Sequence, residues 1–256
     1  MRVVSAKLAR VQTAVSLDAP KAGGRREKFR ARLRTCAPAR SHAALAVLSA
    51  FLLVLSFPDF DLWPLAWVGL VPLLVAVTQV ARARQAFALG WLAGALFFYG
   101  SCWWLTHSMI HYGGLPRPLA YALLIPVVVI VGLFPAMFAL ALARLCARWG
   151  VYALLCAPPL WAASEWARLS ATGQLWNAIG YSQAFLPALI QTATWGGVYA
   201  VGFFLLVVNA VVALLLLRRD ARARGVAALT LVVAGSALAL TELFISSTPD
   251  SDESGP

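Results

Sequence analysis

Charge is what this sequence has least of. Of its 256 residues only 12% are charged, while 61% are hydrophobic; a soluble domain carries about a quarter charged residues. Lysine is scarcer still: Lys7, Lys21 and Lys28 are the three, so residues 29–256 contain no lysine that could act as an acid, base or nucleophile. The four cysteines (Cys36, Cys102, Cys146, Cys156) form no CxxC pair and no zinc-ligand spacing, which excludes a disulfide scaffold and predicts free thiols. There is no GxSxG elbow, no HExxH helix and no phosphate-binding glycine loop. No metal site, cofactor or catalytic residue is predicted from these patterns. The basic excess is also misleading. Residues 1–40 hold 11 Lys/Arg against 2 acids, and the other 216 residues hold 10 against 8. The high isoelectric point belongs to the tail, and a nucleic-acid-binding globule is excluded.

What the sequence does have is long apolar runs. A transmembrane helix needs about 20 mostly apolar residues. Seven segments qualify, at about 41–57, 64–80, 86–106, 118–143, 151–169, 195–217 and 226–245. The first two are short and are separated by a turn at Phe57-Pro58-Asp59. The expected fold is therefore an all-α, polytopic membrane helix bundle of about seven transmembrane helices. Three regions follow: a basic, disordered cytoplasmic tail (1–40), the membrane domain (41–245) and a short acidic extracytoplasmic tail (246–256). Alternate connections carry Arg82 and Arg84, then Arg144 and Arg148, then Arg218, Arg219, Arg222 and Arg224; the other side has Arg117 alone, apart from Arg168 at a helix end. Arginine-rich loops stay in the cytoplasm, which predicts a cytoplasmic N-terminus and an outer C-terminus.

The outer side collects the aromatic and polar residues. Trp63, Trp103, Trp104, Trp166, Trp176 and Trp195 are expected there, with the longest connections, 106–117 and 170–194. Glu165 and Arg168 lie three apart, on one helical face. Charge within a span marks either a packed pair or a binding role, and both readings stand at this point. His107 and His111, four apart, read as interfacial histidines. Gly90-x-x-x-Gly94, and Gly196-Gly197 with Gly202, read as points of close helix packing.

These residues resemble the N-terminal membrane domain of bacterial apolipoprotein N-acyltransferase. Phe57-Pro58-Asp59-Phe60-Asp61-Leu62-Trp63-Pro64 is similar to the turn between that domain's first two spans. Gly90-Trp-Leu-Ala-Gly94 follows, then Trp104, Ser108 and Tyr112-Gly113-Gly114. Pro159-Leu160-Trp161 with Glu165 and Arg168 is next, then Thr172-Gly173, Trp176 and Gly180-Tyr181-Ser182-Gln183, and finally Gly196-Gly197-Val198-Tyr199. Order and spacing agree across roughly residues 43–245. Two departures fall in the outer loop: Arg168-Leu169-Ser170 where the family commonly has Arg-Gly-Trp, and Thr172-Gly173-Gln174-Leu175-Trp176 where it has Thr-Gly-Phe-Pro-Trp.

The resemblance implies a complete enzyme of the bacterial cytoplasmic (inner) membrane. Such an enzyme moves an acyl chain from phospholipid, through a cysteine thioester, to the N-terminal diacylglyceryl-cysteine of lipoproteins. Its Glu-Lys-Cys triad lies in a nitrilase-like domain after the seventh span, where this sequence ends. The expectation is an anchoring and lipid-substrate-binding membrane part, not catalytic alone, that works with a separate nitrilase-like subunit on phospholipid and lipoprotein substrates. Glu165, Arg168, Trp176, Tyr181 and Gln183 are its candidate lipid- or substrate-facing residues. A non-enzymatic or degenerate membrane scaffold is the alternative, and a small-solute transporter the third reading.

Overall fold

The computed structural model describes residues 38–247, and among these it is a bundle of helices without strands. Most of the expected basic tail (1–40) and acidic end (246–256) lies outside the described residues, but at their inner edges the structure differs: Arg40 already opens the first helix, and residues 246–247 still belong to the last. Each of the seven apolar segments coincides with a helix or a broken helix. In chain order they are α1 (Arg40–Leu55), a 3-10 turn (Trp63–Trp67) leading to α2 (Val71–Gln79), α3 (Ala83–Ser101) with α4 (Trp104–His111), and α5 (Arg117–Val131) with α6 (Leu133–Trp149). A second 3-10 turn (Val151–Cys156) leads to α7 (Ala157–Thr172); then come a third (Ile179–Gln183), α8 (Pro187–Ile190), α9 (Ala193–Leu217) and α10 (Ala221–Ser247).

Several boundaries differ from the apolar pattern, each for a local reason. The segment expected at 118–143 is a helix of 33 residues, Arg117–Trp149, because hydropathy marks the edge of the hydrocarbon and not the last helical turn, where Arg144 and Arg148 are good helix formers. The segment at 86–106 is bent by 49° between α3 and α4, so half of the supposed 106–117 loop is helix. Pro158 and Pro159 open the first turn of α7, where proline costs no hydrogen bond, and do not break a span. The last helix starts five residues earlier than the apolar run, at Ala221, where Asp220 accepts from the Ala223 N–H at 2.8 Å and caps it.

The tightest pairing is α3 against α6. A Cβ added to Gly90 would lie 2.4 Å from the Pro135 carbonyl oxygen and 2.6 Å from the Ala139 Cβ. At Gly94 it would meet Pro135 Cγ at 2.8 Å. Glycine at these two points lets the backbones touch, as small residues do between membrane helices. Gly197 does something else. Its φ of 60° and ψ of −157°, beside Gly196, break α9 near its start, so the pair is a kink and not a packing seam.

The second apolar segment is in two pieces, and side chains from other helices mend the gap. Where the 3-10 turn gives way to α2, Leu70 N–H and Ala66 C=O lack helical partners. Asn209 of α9, fully buried, accepts from Leu70 N–H at 2.8 Å and donates to Ala66 O at 2.9 Å. Ser49 of α1 accepts from Leu73 N–H at 2.9 Å. Backbone groups that meet no water must be paired within the protein.

The bundle is apolar outward. Phe51, Ile125, Leu229, Val232 and Leu240 are each more than half exposed. Along the most apolar stretch of α10 only 11% of residues are buried. Polar residues such as Ser49, Glu165, Gln183 and Asn209 are buried instead. Among the described residues, three helices can cross a membrane by length and apolarity alone, or four if the bent pair α3–α4 is one span.

Candidate functional site

The two ends of the bundle differ. At one, Val80, Gly150, Val151, Leu217 and Arg218 surround a common cavity, and the Arg222 guanidinium sits 5.1 Å from the Tyr152 ring centre. The arginine-bearing connections gather there. At the other, the Phe57–Leu62 turn, the α3–α4 bend and residues 172–184 come together.

Glu165 and Arg168 organise that second end. They are 3% and 4% exposed. They do not pair with each other. Glu165 Oε1 accepts from the Ile179 N–H at 2.8 Å, and Arg168 Nη1 donates to the Trp176 carbonyl. Two side chains three apart on α7 thus hold two backbone groups three apart in the loop. The turn is made possible by Gly173, whose φ of 69° ends α7, and by Asn177 at φ 52°; Gly and Asn are the residues that enter this region at least cost. Thr172 Oγ1 donates to Arg168 O at 2.8 Å and accepts from Gln174 N–H at 3.2 Å, which fixes the first step of the loop.

The Gly-Tyr-Ser-Gln segment follows from the same packing. A Cβ on Gly180 would lie 2.6 Å from Val198 O, so only glycine lets this turn rest on α9. Gly202 similarly leaves room for Glu165 Oε2, at 3.4 Å from its would-be Cβ. Gln183 is fully buried. Its Oε1 accepts from Trp67 Nε1 at 3.3 Å, and its Nε2 donates to Trp63 O at 3.2 Å and to Ser182 Oγ at 2.9 Å. It clamps the third 3-10 turn to the first and faces the interior. Tyr181 points the other way and is 45% exposed. Trp161 Nε1, Glu165 Oε2 and the Tyr199 hydroxyl are buried without a hydrogen-bond partner among the described residues.

Two cavities flank Trp176, which lines both. One, of about 240 Å³, has apolar walls from Phe98, Val127, Val128 and Val131, with Arg168, Thr172 and Gln174 at one side. The Arg168 guanidinium lies 4.9 Å from the Phe98 ring centre. The other, of about 380 Å³, is formed by the Phe57–Asp59 turn, Trp104, Asn177 and Tyr181. Trp104 meets Trp176 edge to face at 5.7 Å. The structure thus brings Arg168, Trp176 and Tyr181 to the cavities and places Glu165 and Gln183 behind them as supports. His107 and His111 stack on each other at 4.1 Å, and among the described residues no three His, Cys, Asp or Glu side chains converge as a metal would require.

Sequence reasoning missed Asp59 as a cavity residue and Asn209 and Ser49 as fasteners. A lone Asn in a 25-residue apolar helix was the available signal for Asn209.

An apolar perimeter around buried polar groups, with helices long enough to cross a bilayer, defines a multi-pass membrane protein. Residues 49–211 match the family described as the apolipoprotein N-acyltransferase N-terminal domain, and the chain belongs to that family. It is 37% identical over 168 residues to apolipoprotein N-acyltransferase of Geobacter metallireducens, an overlap of 65% of this chain and 32% of the relative. To the protein of that name in Chlorobaculum tepidum it is 34% identical over 182 residues, 69% of this chain and 32% of the relative. To that of Pasteurella multocida it is 31% identical over 169 residues, 66% and 31% respectively. The chain spans about a third of the length of the curated relatives it matches.

Proposed function

We propose that this chain is the anchoring and lipid-substrate-binding membrane part of an apolipoprotein N-acyltransferase of the bacterial inner membrane. Its seven helical segments cross the bilayer with the arginine-rich end in the cytoplasm, and the cavity-bearing end faces outward. The acyl chain of a phospholipid enters the apolar cavity beside Val127–Val131, and Arg168 holds its anionic headgroup. Trp176 and Tyr181 contact the lipid or the lipoprotein amino terminus, while Glu165 and Gln183 keep the loop in place. The thioester chemistry is supplied by a nitrilase-like domain, whether carried on a separate subunit or elsewhere in the same protein. The observation that carries this reading is a buried guanidinium beside an apolar cavity: a cation and a greasy slot are the two halves of phospholipid recognition.

The test is reconstitution in nanodiscs, with retained phospholipid counted by native mass spectrometry. In parallel, lipoprotein N-acylation is followed with a nitrilase-like domain supplied. Arg168→Met keeps the stem and removes the charge and donors. It is expected to lower both readouts by about tenfold or more, equivalent to losing one charge-assisted hydrogen bond. A chain that retains no phospholipid and supports no N-acylation would instead be the non-enzymatic scaffold.

A further inference from the structure

We propose that the cavity of about 380 Å³ beside Trp176 binds a primary ammonium group, held by the Asp59 carboxylate and the surrounding aromatic faces. A primary ammonium needs a negative charge and acceptors within reach, and it is further attracted to aromatic faces. This cavity offers both. Phe57, Trp104, Trp176 and Tyr181 supply the rings, and Asp59 is the one charged residue in its lining. No arginine or lysine lines it to compete.

The carboxylate is held in place. Trp103 Nε1 donates to Asp59 Oδ2 at 2.8 Å, so the carboxylate is oriented while Oδ1 remains for a ligand. The turn that carries Asp59 is fixed from below. Phe60 and Asp61 N–H both donate to Phe57 O, at 3.0 and 2.8 Å, and Leu62 N–H donates to Leu55 O at 3.1 Å. Among the described residues only Asp61 and Asn177 adopt positive φ without being glycine. One belongs to the turn bearing Asp59 and the other lines the cavity.

The neighbouring cavity has the opposite character. It contains Arg168 and no carboxylate, and Trp176 stands between the two. The pair would therefore sort the charges of a ligand, anion on the Arg168 side and ammonium on the Asp59 side. The inference deepens the lipid-substrate reading and rests on it for what is present at this end. Two sources carry the required chemistry, the amino headgroup of a phospholipid and the free amino terminus of a lipidated peptide.

The experiment uses the full chain in detergent, with saturable quenching of tryptophan fluorescence as readout. The lipid arm compares dihexanoyl phosphatidylethanolamine with dihexanoyl phosphatidylglycerol. The peptide arm compares an S-glyceryl-cysteinyl-serine dipeptide with its N-acetylated form. The amine-bearing member of at least one arm is expected to bind at least tenfold more tightly than its partner, and the arm that discriminates identifies the source. Asp59→Asn keeps an acceptor for Trp103 and removes the charge; it is expected to abolish that preference, and Asp59→Glu to retain it. Trp104→Leu is expected to weaken amine binding about fivefold by removing one aromatic wall. Equal binding within both arms, or an unchanged preference in Asp59→Asn, overturns the ammonium site while leaving lipid binding intact. Absence of binding by all four probes overturns the lipid-substrate reading as well.

Discussion

Gly90→Leu is expected to keep α3 and α6 from packing and to leave little folded protein in the membrane. The Cβ alone would sit 2.4 Å from the Pro135 carbonyl oxygen and 2.6 Å from the Ala139 Cβ, well inside van der Waals contact. Neither neighbour can yield, since one is backbone and the other is the first atom of a side chain. The helices must move apart, and Gly94 against Pro135 and Gly132 loses its contact in the same movement. Even Gly90→Ala is expected to cost about 1–3 kcal/mol, the usual penalty for overpacking. Gly235 of α10 provides the control, because nothing lies within 4 Å of its would-be Cβ. Gly235→Leu should therefore be neutral. The measurement is the folded fraction after detergent extraction, by size exclusion and by unfolding with increasing SDS. Equal yields of Gly90→Leu and Gly235→Leu would refute the account of this seam.

The helical membrane bundle was legible in the sequence because hydropathy acts locally, and each of the seven apolar segments is helical. What hydropathy could not show is where helices break inside or beyond a run. The gap at residues 68–70 is held open by Asn209, more than a hundred residues away, and no local pattern reports such a partner. The bend between α3 and α4 and the extension to Trp149 are invisible for a related reason: interfacial residues tolerate both helix and turn. At the site, the spacing of Glu165 and Arg168 placed them on one face, as found. Their alternatives, an ion pair or a headgroup contact, omitted the backbone groups at Trp176 and Ile179 that they hold. Gln183 belonged to the right motif but turns inward, because a 3-10 turn sends neighbouring side chains in different directions and Tyr181 takes the open side.

Asn209→Leu is expected to destabilise the bundle by about 2–4 kcal/mol, and to disturb the cavity end although Asn209 lines neither cavity. Leucine leaves two backbone groups, Leu70 N–H and Ala66 C=O, buried without partners, and each such group costs about 1–3 kcal/mol. Water cannot reach them, because Asn209, Leu70 and Ala66 are each at most 1% exposed. Ser49→Ala removes one partner, that of Leu73 N–H, and is expected to cost about half as much. The two losses act on the same start of α2, three residues apart, so the double variant should cost less than their sum: once that turn is released, the second bond is already weakened. The effect on the site runs through the Trp63–Trp67 turn. Ala66 of that turn is held by Asn209, while Trp63 O and Trp67 Nε1 are held by Gln183. Freeing it from α9 loosens the clamp beneath Tyr181. Unfolding in mixed micelles gives the energies, and Tyr181 accessibility to nitration gives the local effect. An Asn209→Leu protein as stable as the parent, with Tyr181 equally accessible, would show that the broken segment is held by packing alone. A stable protein with altered Tyr181 accessibility would place Asn209 on the route to the site and not in the stability of the fold.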